Sequence, residues 1–592
     1  MLKRFFISTL ATITGIWISF GLLFFVGLLY ALIGAASMSM TDEDTINISD
    51  NSILYLDLKG NMTERYKPQN IMYKMQGYND ETFALDEAIA AIRYATYDDR
   101  FDGIFINCNG IASAPASLTE LKQALQDFKR LSGKWIISYS DTYNQGDYYV
   151  AACADSIYVN PIGGVDLHGL SSTTLYFKDL LDKLGVDVQI FKVGTYKSAV
   201  EPFMISSMSE ANREQQTVYL GDIWNDMVKS ISKDRKISPN TINMYADSLI
   251  LMDNPGLLVS RKLIDGLFYK YEVISSLKEL TNVDYDKELN LVTPRQLCAS
   301  VSDLPDTDER ECKIAVYYAY GDIVDTGNTG IVGDKVIKDL EQLTNDDEIG
   351  GLVLRVNSGG GSAFASEQIW DALQRFKDTG KLLYVSMGDY AASGGYYISC
   401  GADKIYANPN TLTGSIGIFG MVPCVENTLK NKLGVNPEVV STNENANMSI
   451  MTKFTPYQKK QIQKNVERGY ELFTYRCAIG RGMDQDSIKA IAEGRVWTGE
   501  RALKLGLVDE IGTLQDAIHG MAQDLGYEQD YQVIEYPTLK FGFWDIFKEM
   551  QDNSIEAAMQ QRFGEFYGTY KQIEEIKNMN PLQCRMEKII IR

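Results

Sequence analysis

Histidine is almost missing from this chain of 592 residues: only His168 and His519 occur. His168 stands in a glycine-rich loop two residues after Asp166, and His519 on an amphipathic stretch. Neither has an acidic partner at a spacing that argues for a Ser-His-Asp triad, so a nucleophile here needs another base. Paired cysteines are missing too. The eight are scattered with no CxxC, and Cys108, Cys153 and Cys400 lie in apolar stretches, where buried free thiols are expected. No metal site is suggested. An excess of positive charge is also absent: 57 Lys and Arg stand against 78 Asp and Glu, a net charge of −21. That argues against a nucleic-acid partner, because phosphate binding needs a basic face. No GxGxxG or Walker lysine follows the glycine runs, so no nucleotide or other cofactor is expected.

Long hydrophobic runs are confined to the start. Lys3 and Arg4 precede an uncharged stretch from Phe5 to Met40, densely apolar from Ile16 to Ile33. It exceeds the core of a signal peptide and suffices for one bilayer crossing of about 20 residues. Asp42, Glu43 and Asp44 follow, which orients the start inside and the body outside. The expectation is an uncleaved anchor. Leu32–Ser37 also offers a cleavage site, and a cleaved signal peptide is the alternative.

The body repeats itself. Tyr148–Pro161 and Tyr396–Pro409 are identical at eight of fourteen positions, and the same spacing pairs Asp102–Asn107 with Gly350–Arg355. Each copy alternates apolar strands with helical stretches. In the second copy strands are expected at Ile314–Tyr318, Gly351–Val356, Leu382–Ser386 and Lys404–Ala407, with helices at Ser366–Lys377 and Thr455–Ile479. Such alternation predicts an α/β fold, parallel sheets covered by helices. The expected organisation is an anchor at residues 1–40, one repeat at 41–299, an acidic linker at 300–311, a second repeat at 312–530, and a tail at 531–592. Amphipathic stretches in the tail lie around Trp544–Met550 and Gln560–Lys577.

The copies differ at the positions suited to chemistry. In the second, Ser393 follows an apolar strand and precedes Gly394, Gly395 and a helical stretch at Tyr396–Cys400. A serine among small residues at a strand-to-helix turn is uncrowded and faces backbone N–H groups, as a nucleophile needs. The same pattern also fits an ordinary turn with a capping serine. The first copy has Gln145 there and instead carries Lys197 in Phe191–Phe203; the counterpart, Ser441–Thr452, holds no lysine. A serine hydroxyl is a poor nucleophile until a base takes its proton, and a lysine serves if burial lowers its pKa. The alternative for Lys197 is a solvated loop lysine paired with Glu201. The glycine run after Arg355 brings backbone N–H groups close to a carbonyl, though such runs also bind phosphate or simply turn. Ser415 sits between glycines, either near the active centre or stabilising a turn.

Taken together, Val193–Phe203, Arg355–Ser362, Ala392–Tyr397 and Thr413–Gly420 resemble the signal peptide peptidase A family in its long, two-domain bacterial form. The resemblance runs from about residue 50 to 530. It implies a membrane-anchored serine peptidase built of two tandem Clp-protease/crotonase-like βαβ domains. It implies a nucleophile and a base from different halves, here Ser393 and Lys197. Gly360 and Gly394 would supply the oxyanion N–H groups, and Ser415 would hold the lysine amine. Where the family often has proline, this chain has Gly359. The resemblance further implies hydrophobic peptide substrates such as cleaved signal peptides, a homo-oligomer (a tetramer), and an inner-membrane location with the catalytic body outside the cytoplasm. Two alternatives belong to other classes: a crotonase-like enzyme of acyl-CoA thioesters, and a non-catalytic oligomeric scaffold at the membrane.

Overall fold

The computed structural model describes residues 4, 7, 9, 10, 12–27, 46–66, 82–302, 312–528, 530–538, 559 and 582–587. Residues 12–27 are helical and exposed all round, with Trp17, Phe20 and Phe24 facing out. Among the described residues no helix is long and apolar enough to cross a membrane. The rest of the predicted anchor, residues 1–3, 5, 6, 8, 11 and 28–40, lies outside the described residues. So do most of the linker and both amphipathic stretches of the tail.

The repeat is visible as two parallel sheets of matching strand order. In the first, Ser52–Thr63, Phe101–Ala112, Trp135–Tyr143 and Ser156–Val165 lie side by side. In the second, Cys312–Tyr320, Ile349–Ser358, Leu382–Ala392 and Lys404–Ala407 repeat that order. Central strands of a parallel sheet are covered on both faces, so they read as continuous apolar runs rather than alternations. Ile104, Phe105 and Ile106 are buried in one sheet and Leu352, Val353 and Leu354 in the other. Tyr531–Tyr536, past the expected end of the repeat, adds a parallel strand to Cys312–Tyr320.

The helices start and stop where local chemistry directs. Ala363–Asp378 begins after Ser362, whose hydroxyl accepts from Ala365 N–H. Pro456–Arg481 starts with a capping box between Thr455 and Gln458 and ends at Gly482 in the left-handed region. It therefore begins one residue after the expected Thr455, which is its cap, and ends two residues beyond the expected Ile479. The helix after Ser393 begins at Gly394, two residues earlier than expected.

A third sheet joins the halves. Asp187–Lys192 leaves the first repeat and pairs antiparallel with Phe419–Cys424 of the second, Phe419 opposite Lys192. The four-residue strand Leu582–Arg585 enters the same sheet from the far end of the chain. The halves are also tied by buried charge. Arg355 donates to Glu64 at 3.0 and 3.2 Å and to Glu120 at 2.7 Å. Asn408 also donates to Glu120 at 2.7 Å, and Asn357 to both Glu64 and Asp389. Ser117 of the first repeat donates to Asp389 from its backbone and its hydroxyl.

Candidate active site

Ser393 stands between the strand Leu382–Ala392 and the helix Gly394–Ser399 with φ 56° and ψ −111°. A left-handed φ is strained for serine, on the order of 1–3 kcal/mol, and persists only where surroundings enforce it. Here Ser393 N–H donates to Gly414 O at 2.8 Å, and Ser393 O accepts from Tyr397 N–H at 2.8 Å. The hydroxyl lies 3.5 Å from Gly417 O, two residues before the strand Phe419–Cys424.

Lys197 reaches it from the other half. The chain leaves Asp187–Lys192, turns at Gly194, and is held by Tyr196 N–H donating to Glu493 O. Gln215 brackets the lysine: its amide donates to Tyr196 O and Ser198 Oγ and accepts from Val496 N–H. The Lys197 amine lies 2.7 Å from Ser393 Oγ, 2.9 Å from Ser415 O and 3.1 Å from Ser415 Oγ. Only 1 % of Lys197 and none of Ser393 is exposed. Burial pushes the Lys197 amine down to about 7, because the charged form loses its water. Glu201 is no partner for it; that carboxylate accepts from Ser209 and Asn212.

Gly494 lies flat against the lysine backbone. It has φ +78°, and a side chain there would set its first carbon 2.7 Å from Lys197 Cβ and 2.8 Å from Lys197 N. Gly494→Ala is therefore expected to push Lys197 off Ser393. A displacement of about 1 Å costs on the order of 100-fold in rate. Kinetics of the folded variant check this: kcat should fall with KM little changed.

The two glycines of the predicted oxyanion hole are brought together. Gly360 has φ +101°, and a first side-chain carbon on it would stand 2.7 Å from Gly394 N. Gly360 N–H donates to Ser358 Oγ at 3.1 Å. Ser415, with φ 48°, is anchored by its N–H to Arg495 O. The histidines stay apart from this cluster. His168 does pair with Asp166, at 2.9 Å, but on an exposed loop, and His519 meets Gln523. Gln145, which aligns with Ser393, accepts from His168 N–H and Gly169 N–H and so serves only its own loop. Among the described residues no cluster of His, Cys, Asp and Glu is arranged to hold a metal, and all eight cysteines are free.

Sequence reasoning missed four contributors: Gln215, Gly494, Arg355 as a link between halves, and the segment 582–587. None carries a local signal, since each acts on residues far away in the chain.

A family model described as peptidase family S49 matches residues 129–284 and 375–528, one stretch in each repeat. The first stretch contains Lys197 and the second Ser393. "Protease 4" of Haemophilus influenzae is 36 % identical over 529 residues, covering 86 % of this chain and 85 % of the relative. "Protease 4" of Salmonella typhi is 38 % identical, covering 81 % and 78 %. "Serine protease SPPA, chloroplastic" of Arabidopsis thaliana is 28 % identical, covering 80 % and 69 %.

Proposed function

The chain belongs to peptidase family S49 and is a serine-type peptidase, and from that premise we propose that it is a membrane-anchored endopeptidase acting through a Ser393–Lys197 dyad. Its substrates in this reading are hydrophobic peptides, such as signal peptides left in the membrane after cleavage. The observation that carries the dyad is the 2.7 Å contact between the Lys197 amine and Ser393 Oγ in a site closed to solvent.

Counting protons supports the roles. A neutral amine has two N–H donors and one lone pair. Ser415 O can only accept, so one N–H goes there and the second goes to Ser415 Oγ. The lone pair then faces Ser393 O–H, which is the orientation a general base requires. In the reaction the lone pair takes the Ser393 proton as Oγ attacks the peptide carbonyl. Backbone N–H groups at Gly360 and Gly394 stabilise the oxyanion, with the Gly360 N–H turning from Ser358 Oγ to the substrate oxygen. Lys197 then protonates the leaving amine, and water activated by the same lysine releases the acyl group.

The exposed apolar helix at 12–27, with the uncharged run around it, supports a single-pass inner-membrane anchor and an extracytoplasmic body. The Clp-protease/crotonase type of repeat and a homo-oligomeric, tetrameric assembly belong to the same proposal, resting on the family resemblance.

The pH dependence of kcat/KM on a fluorogenic peptide with an apolar residue before the scissile bond tests this. Lys197 works when neutral and is protonated below its pKa, so the rate should rise with pH through about 7 and then level off. A rise governed by a group near 10.4, the ordinary lysine value, would remove Lys197 as base.

A further inference from the structure

Ser393 is fully buried, so a peptide reaches it only if something moves. The groove beside it is filled by the chain's own tail. Leu582–Arg585 lies antiparallel between two strands, with Gly360, Gly361 and Ser362 opposite Arg585, Cys584 and Gln583. On its other edge Phe419 and Gly420 face Gln583 and Leu582. Met586 N–H continues the ladder to Gly359 O at 2.7 Å. A short strand bonded on both edges is how an extended peptide is taken up by a sheet.

Its contacts are those of a ligand in a shaped site. The Cys584 carbonyl oxygen stands against the two oxyanion glycines: a first side-chain carbon on Gly360 would meet it at 2.1 Å, and one on Gly394 at 3.1 Å. Cys584 and Met586 are buried, Met586 in the same apolar cluster as Ala392, Leu412 and Val496. Arg585 pairs with Asp322 at 2.9 Å. The Glu587 carboxylate accepts from Ser198 Oγ at 2.8 Å, Asn212 Nδ2 at 3.2 Å and Thr174 Oγ1 at 3.3 Å. Ser198 is the residue after the proposed base.

We propose that residues 582–587 are a resident pseudosubstrate: the groove between Gly360–Ser362 and Phe419–Cys424 receives an extended peptide strand, and the tail holds it until displaced. This rests on the peptidase reading above. The occupant also specifies the ligand chemistry, with a small side chain at the Cys584 position, an apolar one two residues on, and a carboxylate next.

The test uses the full chain carrying Met586→Asp or, as the milder change, Glu587→Gln, with unfolding temperature measured alongside. Labelling of Ser393 by a fluorophosphonate should speed up about tenfold in Met586→Asp, the burial of one methionine side chain read as a ratio. A synthetic peptide of the sequence 581–592 should slow it again. A second readout needs no variant. When a peptide boronate occupies Ser393 of the wild type, amides of 582–587 should lose protection from hydrogen exchange. Unchanged protection under the boronate, or variants that melt like wild type yet label no faster, would overturn the pseudosubstrate while Ser393 still reacts. Equal labelling of Ser393→Ala and wild type would instead overturn the peptidase reading, and this inference with it.

Discussion

Replacing Ser393 with alanine is expected to abolish peptide hydrolysis, a loss of about 10⁶-fold in kcat, while the folded structure persists. Alanine suffers no more than serine from the left-handed φ, and the Ser393 backbone bonds to Gly414 and Tyr397 remain. Lys197→Met is expected to cost about 10²–10⁴-fold, the usual worth of a general base, because the oxyanion donors survive it. The two losses should not add in the double variant, since one group acts only through the other. Lys197→Met carries a second, opposite effect. The buried amine is depressed from 10.5 to about 7, so between those values the unfolded state binds a proton that the folded state refuses. Wild-type stability therefore rises with pH across that window, and the full cost stands below about 7. Each tenfold change in proton affinity is worth about 1.4 kcal/mol. The methionine variant should accordingly be more stable than wild type by a few kcal/mol at pH 6, with the gap closing toward pH 10. Urea unfolding at both pH values, beside peptide hydrolysis, reads the two effects in one preparation.

Arg355→Met is expected to destabilise the protein by about 3–5 kcal/mol, as removal of one partner from a buried ion pair does. Arg355 is 1 % exposed and faces Glu64 and Glu120, both from the first repeat and both buried. Without the guanidinium two carboxylates share one dry space. Burial already holds Glu120 above the ordinary carboxylate range. Acidification, which neutralises the carboxyl groups, should shrink the deficit. The effect should also reach the site, since Arg355 lies on the strand that ends at Ser358, and Ser393 directly follows the neighbouring one. Thermal unfolding at pH 5 and pH 8 measures the first effect. The rate of Ser393 labelling in the folded fraction measures the second.

What could be read from the sequence was what repeats or is local. The parallel sheets follow from apolar runs such as Leu352–Leu354, too continuous for a half-exposed strand. Ser393 and Lys197 could be singled out because each copy holds one residue that the other lacks. The burial of Lys197 was less legible. Glu201, four residues on, looked like a surface partner, and only the fold turns it toward Ser209 and Asn212. The supporting residues were illegible for the same reason. Gln215 and Gly494 act on Lys197 across 18 and 297 positions of chain, and nothing near them in sequence marks that contact. Leu582–Arg585 is too short to carry a periodic signal. Its strand character comes wholly from the two edges that receive it. His168 runs the other way: a spacing of two residues gives no sign of a partner in Asp166, yet the two meet on an exposed loop.

The central claim is that Lys197 is neutral beside Ser393 at working pH. It is tested most directly by titrating that amine itself, through the Cε resonance of isotopically labelled lysine, assigned by its disappearance in Lys197→Met. The account predicts a single transition near pH 7, apart from the crowd of surface lysines. A Lys197 resonance that stays in its charged position until pH 10 would contradict it.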